Sequence, residues 1–184
     1  MTDRTPRTPD ELRRASTHVY YELWMLLRTG EATLARTSAD DVVNNALVES
    51  FALHMRALCD FLWPSGADDD DVLALDYFPG KWTASGKSAF KGQRVDANKG
   101  IAHISYRRLD VQPPEGKSWE IVTIAEGLHG AMSDFYDLVD HGLLSEEWTR
   151  RGFPERVRLP GGGIRVGAAA SSMPTMISSD YRPK

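Results

Sequence analysis

The sequence predicts an all-α protein: a four-helix up-down bundle followed by an irregular C-terminal tail with room for a short hairpin. Four segments repeat apolar residues at three- and four-residue spacing, and their connections are short and marked by Pro or Gly. A chain of 184 residues with 41% hydrophobic content can bury one full core but not two. Each amphipathic helix must bury its stripe against neighbours, which is the logic of a bundle. The expected organisation is a flexible N-terminus over 1–7, a helical bundle domain over 8–150 and an irregular or partner-ordered tail over 151–184.

The first helix opens at a capping box, with Thr8 as N-cap, Pro9 at the first helical position and Glu11 at the third. Leu12, Ala15, Val19, Leu23 and Leu26 trace its buried stripe, widened by Trp24 and Leu27, and Gly30 is a natural stop unless Thr33 and Leu34 extend it. Ser38 or Asp40 can cap the second helix, which runs to about Leu62 before Pro64 and Gly66. Its apolar stripe is Val43, Leu47, Ser50 or Phe51, His54, Leu58 and Phe61 or Leu62. A second stripe carries Glu49, Arg56 and Asp60 toward one neighbourhood. Read as a wet intrahelical pair, Arg56 and Asp60 contribute only about 0.2–0.5 kcal/mol.

The run Asp68 to Asp71 reads as the acidic start of a short helix, favoured by the helix's positive end, ahead of a divalent-cation loop. Asp76 to Trp82 reads as a turn pinned by aromatics. The third helix starts between Gly86 and Phe90 and runs through Arg94 to about Tyr106, with Ala97, Ile101 and Ile104 on its core side. The fourth begins near Ser118, carries Trp119, Val122, Ala125, Leu128, Met132, Phe135 and Val139, and ends at His141 and Gly142. Beyond it, Leu143, Leu144 and Trp148 can pack back onto the bundle, and residues 157–159 and 164–166 can pair as a small hairpin.

The formal charge of −4, from 22 Lys and Arg against 26 Asp and Glu, excludes a globally cationic surface but leaves room for a local basic patch. Cys59 is the single cysteine, so no intrachain disulfide forms. No apolar stretch resembles a secretory signal or reaches the roughly 20 residues of a membrane span, so the expectation is a soluble cytoplasmic protein. The chain lacks a Gly-rich phosphate loop and any spaced set of His, Cys and carboxylates, so neither a cofactor nor a metal is expected.

The most informative polar segment is Asn98 to His103. Lys99 and His103 are four residues apart and stack on one helix face, whereas Asn98 lies roughly 140° around the helix from His103, so the two flank a groove. An imidazole there can activate a ribose hydroxyl or protonate a leaving oxygen while Arg94, Lys99 or Arg56 stabilises negative charge, with no metal required. By spacing alone, the commoner reading of His103 is an ordinary hydrogen-bonded helix residue. His54, on an apolar stripe, reads as a half-buried polar plug, and His141 suits the negative end of a helix.

A bundle with Asn98, Lys99, Gly100, Ile101, Ala102 and His103 on its third helix resembles the HEPN superfamily of toxins, abortive-infection proteins and nucleotidyltransferase partners. Many active members are metal-independent ribonucleases with an Arg, often followed by a polar residue, a short spacer and a catalytic His. The resemblance spans about residues 8 to 140 and sets His103 at the catalytic His, Lys99 at the polar residue and Asn98 at the Arg. Asn hydrogen-bonds a phosphate but does not neutralise it. Arg94, one turn upstream, is the candidate substitute, and Glu49, Arg56 and Asp60 correspond to the region facing the motif. The resemblance implies RNA binding or cleavage in a defence or toxin–antitoxin setting, a symmetric homodimer and an antitoxin or other protein partner. The competing readings are a non-catalytic regulatory or protein-interaction bundle that keeps only the scaffold, and a small-molecule pocket between the second and third helices.

Overall fold

The structure, a computed structural model, describes residues 4–35, 39–78, 82–98, 101 and 120–155. It is an all-α bundle of helices α1 (Pro9–Ala35), α2 (Asp41–Leu62), α3 (Lys91–Ala97), α4 (Ile121–Leu138) and α5 (Glu146–Arg151). Single 3₁₀ turns at Ala74–Tyr77, Lys87–Phe90 and His141–Leu143 join them. Among the described residues, no helix is long and apolar enough to cross a membrane.

The capping box at the start of α1 forms as its residue types dictate. The Thr8 N–H donates to Glu11 Oε2 at 2.8 Å, and the Glu11 N–H donates to Thr8 Oγ1 at 3.3 Å. The Thr8 N–H and the Thr8 hydroxyl, which both donate to Glu11 Oε2, hold the Glu11 carboxyl below its ordinary range. The helix does not stop at Gly30 but continues to Ala35. A Cβ at Gly30 would lie 3.2 Å from the Phe51 ring and 3.3 Å from Ile121, so this glycine marks the convergence of three helices.

Asp40 caps α2, its carboxylate accepting the Val42 N–H at 2.8 Å. The predicted stripe holds for the C-terminal half only: Phe51, Leu58, Phe61 and Leu62 are buried and His54 half-buried, whereas Val43 is exposed and Leu47 half-buried; Met55, outside the predicted stripe, is buried with them. Glu22 meets His54 and Gly30 meets Phe51, so α1 and α2 run antiparallel. Ile121 packs at Gly30 while Phe135 packs edge-on to Phe61, which sets α4 antiparallel to α1 as well.

The third helix enters through the Lys87–Phe90 turn, as its expected start requires, and α3 follows from Lys91; the remainder toward Tyr106 lies outside the described residues. Helix α4 starts at Ile121, three residues later than Ser118, and ends at Leu138. Gly142 is not its C-cap. The chain becomes extended at Val139, and Gly142 sits in the next turn with its N–H donated to Asp140 at 2.8 Å. His141 does serve the helix end, its Nε2 lying 2.9 Å from the Tyr136 carbonyl.

The return of the chain after α4 is tighter than periodicity indicated. Trp148 on α5 is fully buried, and its indole N–H donates to the Ser16 carbonyl at 2.9 Å. The Ser145 N–H donates to Ser16 Oγ at 2.7 Å, and the Arg13 guanidinium donates to the Gly142 carbonyl. Packing continues through Phe153 and Pro154, where His129 Nε2 lies 2.9 Å from the Pro154 carbonyl. The hairpin expected over 157–166 lies outside the described residues.

The acidic run departs from its expected role. The 3₁₀ turn Ala74–Tyr77 starts after Leu73, and Asp76 rather than the run accepts the Leu73 N–H, at 3.1 Å. The run instead receives the N-terminal arm. Arg4 donates to the carbonyls of Asp68 and Asp71 and pairs with Asp76, while the Thr5 N–H and hydroxyl donate to the Asp69 carboxylate at 3.0 and 2.9 Å. Those bonds hold the Asp69 carboxyl below its ordinary range.

Candidate functional site

The end of α2 and the approach to α3 enclose a groove of about 800 Å³, inside the roughly 300–1,000 Å³ span typical of ligand pockets. Its floor is apolar. The Trp63 indole N–H donates to the Ala84 carbonyl at 2.8 Å, and the ring stacks on Phe90 with centroids 5.3 Å apart. Phe90 in turn lies over Gly127 of α4, where a Cβ would come within 2.7 Å of the ring tip. That close approach fixes where α3 begins and therefore where its polar side chains stand.

The rim is cationic. Arg56, Lys87, Lys91 and Arg94 border the groove, with Asp60 the one carboxylate among its described lining residues. Arg94 reaches back to the C-terminal end of α2, donating from Nη1 to the Trp63 carbonyl at 3.1 Å and pairing through Nη2 with Asp60 Oδ1. Arg56 approaches the other oxygen, its Nε 3.5 Å from Asp60 Oδ2. One carboxylate thus serves two guanidinium groups, and all three side chains are 24–40% exposed. No carboxylate pairs with Lys87 or Lys91 among the described residues. The sum is a local cationic excess on a chain whose net charge is −4.

Of the residues singled out from the sequence, Arg56, Asp60, Arg94 and Asn98 meet at this groove. Glu49 does not. It lies exposed on α2, outside the described lining. His103 and Lys99 lie outside the described residues. Asn98 is half-buried at the end of α3, its N–H bonded to the carbonyls of Arg94 and Val95. Sequence reasoning missed Lys87 and Lys91, although their four-residue spacing upstream of Arg94 is a readable signal of one cationic helix face.

The other reactive side chains are built into the scaffold. Cys59 is buried under the groove, and burial pushes its thiol up to about 12, which keeps it protonated and poorly nucleophilic at neutral pH. His54 Nδ1 lies 2.6 Å from Glu22, a half-buried pair linking α2 to α1, as its place on the apolar stripe suggested. Among the described residues, no group of three or more His, Cys, Asp or Glu side chains could hold a metal ion. No protein-family model matches the chain, and no curated protein and no solved structure matches it.

Proposed function

We propose that this bundle binds single-stranded RNA in the α2–α3 groove, capturing backbone phosphates with Lys87, Lys91, Arg56 and Arg94. The observation that carries the reading is the cationic rim around an apolar floor on an otherwise acidic chain. Phosphate capture by Lys and Arg supplies most of the sequence-independent affinity for nucleic acids, and an apolar floor favours unpaired bases over a duplex face. The choice of RNA among polyanions rests on the resemblance of Asn98 to His103 to the HEPN motif. That resemblance extends the proposal to a homodimer, a defence or toxin–antitoxin role and a protein partner such as an antitoxin.

Binding is favoured over cleavage by the position of Arg94. Its guanidinium is committed to Asp60 and the Trp63 carbonyl, so it serves the end of α2 as well as the groove, while Asn98 occupies the place of the family's Arg. This observation also supports the second reading, a non-catalytic regulatory bundle. Cleavage, where it occurs, belongs to His103 and proceeds without metal.

Fluorescence anisotropy with a short unstructured RNA tests the reading. The double variant Lys87→Glu/Lys91→Glu is expected to lose at least about tenfold in affinity, since two attractive phosphate partners become two repulsive ones. Equal affinity would refute the groove as the site. In the same samples, RNA breakdown in EDTA that disappears in His103→Ala supports cleavage, and intact RNA in both supports binding alone.

A further inference from the structure

We infer that Asp60 is a built-in surrogate for a ligand phosphate, a carboxylate that holds Arg56 and Arg94 in place until a phosphodiester oxyanion takes over one of them. The inference rests on the proposed RNA reading and names how that site is tuned. The geometry is that of an anion site already filled from within. Arg94 Nη2 pairs with one oxygen of Asp60, and Arg56 Nε stands 3.5 Å from the other. Both guanidinium groups remain partly open to the groove.

Asp60 also stands between two cavities. Behind it lies a second pocket of about 460 Å³ that shares Arg56, Asp60 and Arg94 with the groove and has Asp68 and Asp71 on its far side. The three side chains are therefore a charged partition, cationic toward Lys87 and Lys91 and acidic toward the Asp68–Asp71 run. On the groove side an incoming anion meets Lys87 and Lys91 and competes with Asp60 for Arg56 and Arg94. Asp60 is one of two anchors on Arg94, whose Nη1 is also held by the Trp63 carbonyl at 3.1 Å. Removing the surrogate should free cationic capacity without dismantling the wall.

The consequence runs against the usual effect of a site mutation: Asp60→Asn strengthens binding. With the carboxylate gone, a phosphate gains Arg56 and Arg94 without displacing a competitor. Affinity for the short RNA should rise by about threefold to tenfold, and its log–log salt dependence should steepen by about 0.7, the value for one further neutralised phosphate on a single strand. Inorganic phosphate should compete more effectively against Asp60→Asn than against the natural chain. An acidic peptide should compete weakly with both.

The measurement is a salt-dependent anisotropy titration of the full chain and of Asp60→Asn, each checked for an unchanged circular dichroism spectrum and melting transition. Should Asp60→Asn fail to fold, the natural chain itself answers the question: the Arg94 and Arg56 side-chain N–H signals and the Asp60 carboxyl carbon shift together in NMR as RNA is added. Affinity of Asp60→Asn equal to or below that of the natural chain, or RNA binding that leaves those three signals unmoved, overturns the surrogate role while the RNA reading stands. Failure of both proteins to bind RNA overturns the two together. An acidic peptide that competes as well as RNA assigns the groove to a protein ligand and overturns the phosphate surrogate.

Discussion

Gly127 is the residue on which the groove's shape turns. The Phe90 ring occupies the space that a side chain on α4 would need, with 2.7 Å between a Cβ there and the ring tip. Phe90 cannot swing aside freely, since its face is stacked on Trp63 and Trp63 is itself tied to the Ala84 carbonyl. Gly127→Ala is therefore expected to destabilise the protein by about 1–3 kcal/mol through overpacking, despite alanine's better helix propensity. Urea denaturation checks this, and a neutral or stabilising effect would show that the ring yields without cost. Residue-scale features of this kind were legible in the sequence only when both partners lay within one turn. The Thr8–Glu11 capping box and the Arg56–Asp60 pair were visible for that reason. Gly30 and Gly127 answer to Phe51 and Phe90, which are distant in sequence, so the sequence left Gly30 between a stop and a continuation through Thr33 and Leu34, and its close approach to Phe51 was not visible.

At the scale of elements, the N-terminal arm and the acidic run form a clasp that neither segment announces alone. Four consecutive aspartates favour a helix start when read locally, yet their partners are Arg4, Thr5 and Arg7, more than sixty residues upstream. The bonds to Asp69 favour its ionised form, so its folded pKa lies below the ordinary 3.8. A depressed carboxyl contributes stability above its unfolded value and loses it as pH falls through the folded value. The clasp is thus expected to hold at neutral pH and to open only on acidification beneath the ordinary aspartate value, as pH falls through the lowered folded one. Amide exchange at Thr5 reads it directly: protection at neutral pH, lost in Asp69→Ala at the same pH. Fast exchange in both proteins would mean that the arm is not docked in solution.

For the molecule as a whole, Trp148 decides whether the residues after α4 belong to the bundle. It is fully buried, bonded to the Ser16 carbonyl, edge-on to Tyr20 and stacked with Tyr136. Trp148→Ala should cost about 3–5 kcal/mol, a large share of the roughly 5–15 kcal/mol by which domains are stable. A single cooperative melt shifted downward is the expected result; a melt at the natural temperature would separate α5 from the fold. The all-α class and the presence of α1, α2 and α4 were legible because 3.6-residue periodicity is a local property of long segments, whereas the end of α1 and both ends of α4 were displaced by a few residues. The site was legible in part. Arg56, Asp60, Arg94 and Asn98 were named before any contact was known, but Glu49 shares the α2 stripe of Arg56 and Asp60 without reaching the groove, and Lys87 and Lys91 lie in the turn before α3 and at its first residue, ahead of the polar segment that drew attention.

If a cationic groove on an acidic bundle captures RNA phosphates, RNA affinity must depend on salt through the groove's own lysines. The natural chain should bind a short unstructured RNA with an affinity that falls linearly on log–log axes. In Lys87→Gln/Lys91→Gln the slope should be shallower by about 0.7 for each phosphate no longer neutralised. No binding at low salt, or a slope that the double variant leaves unchanged, would mean that the groove does not capture RNA phosphates.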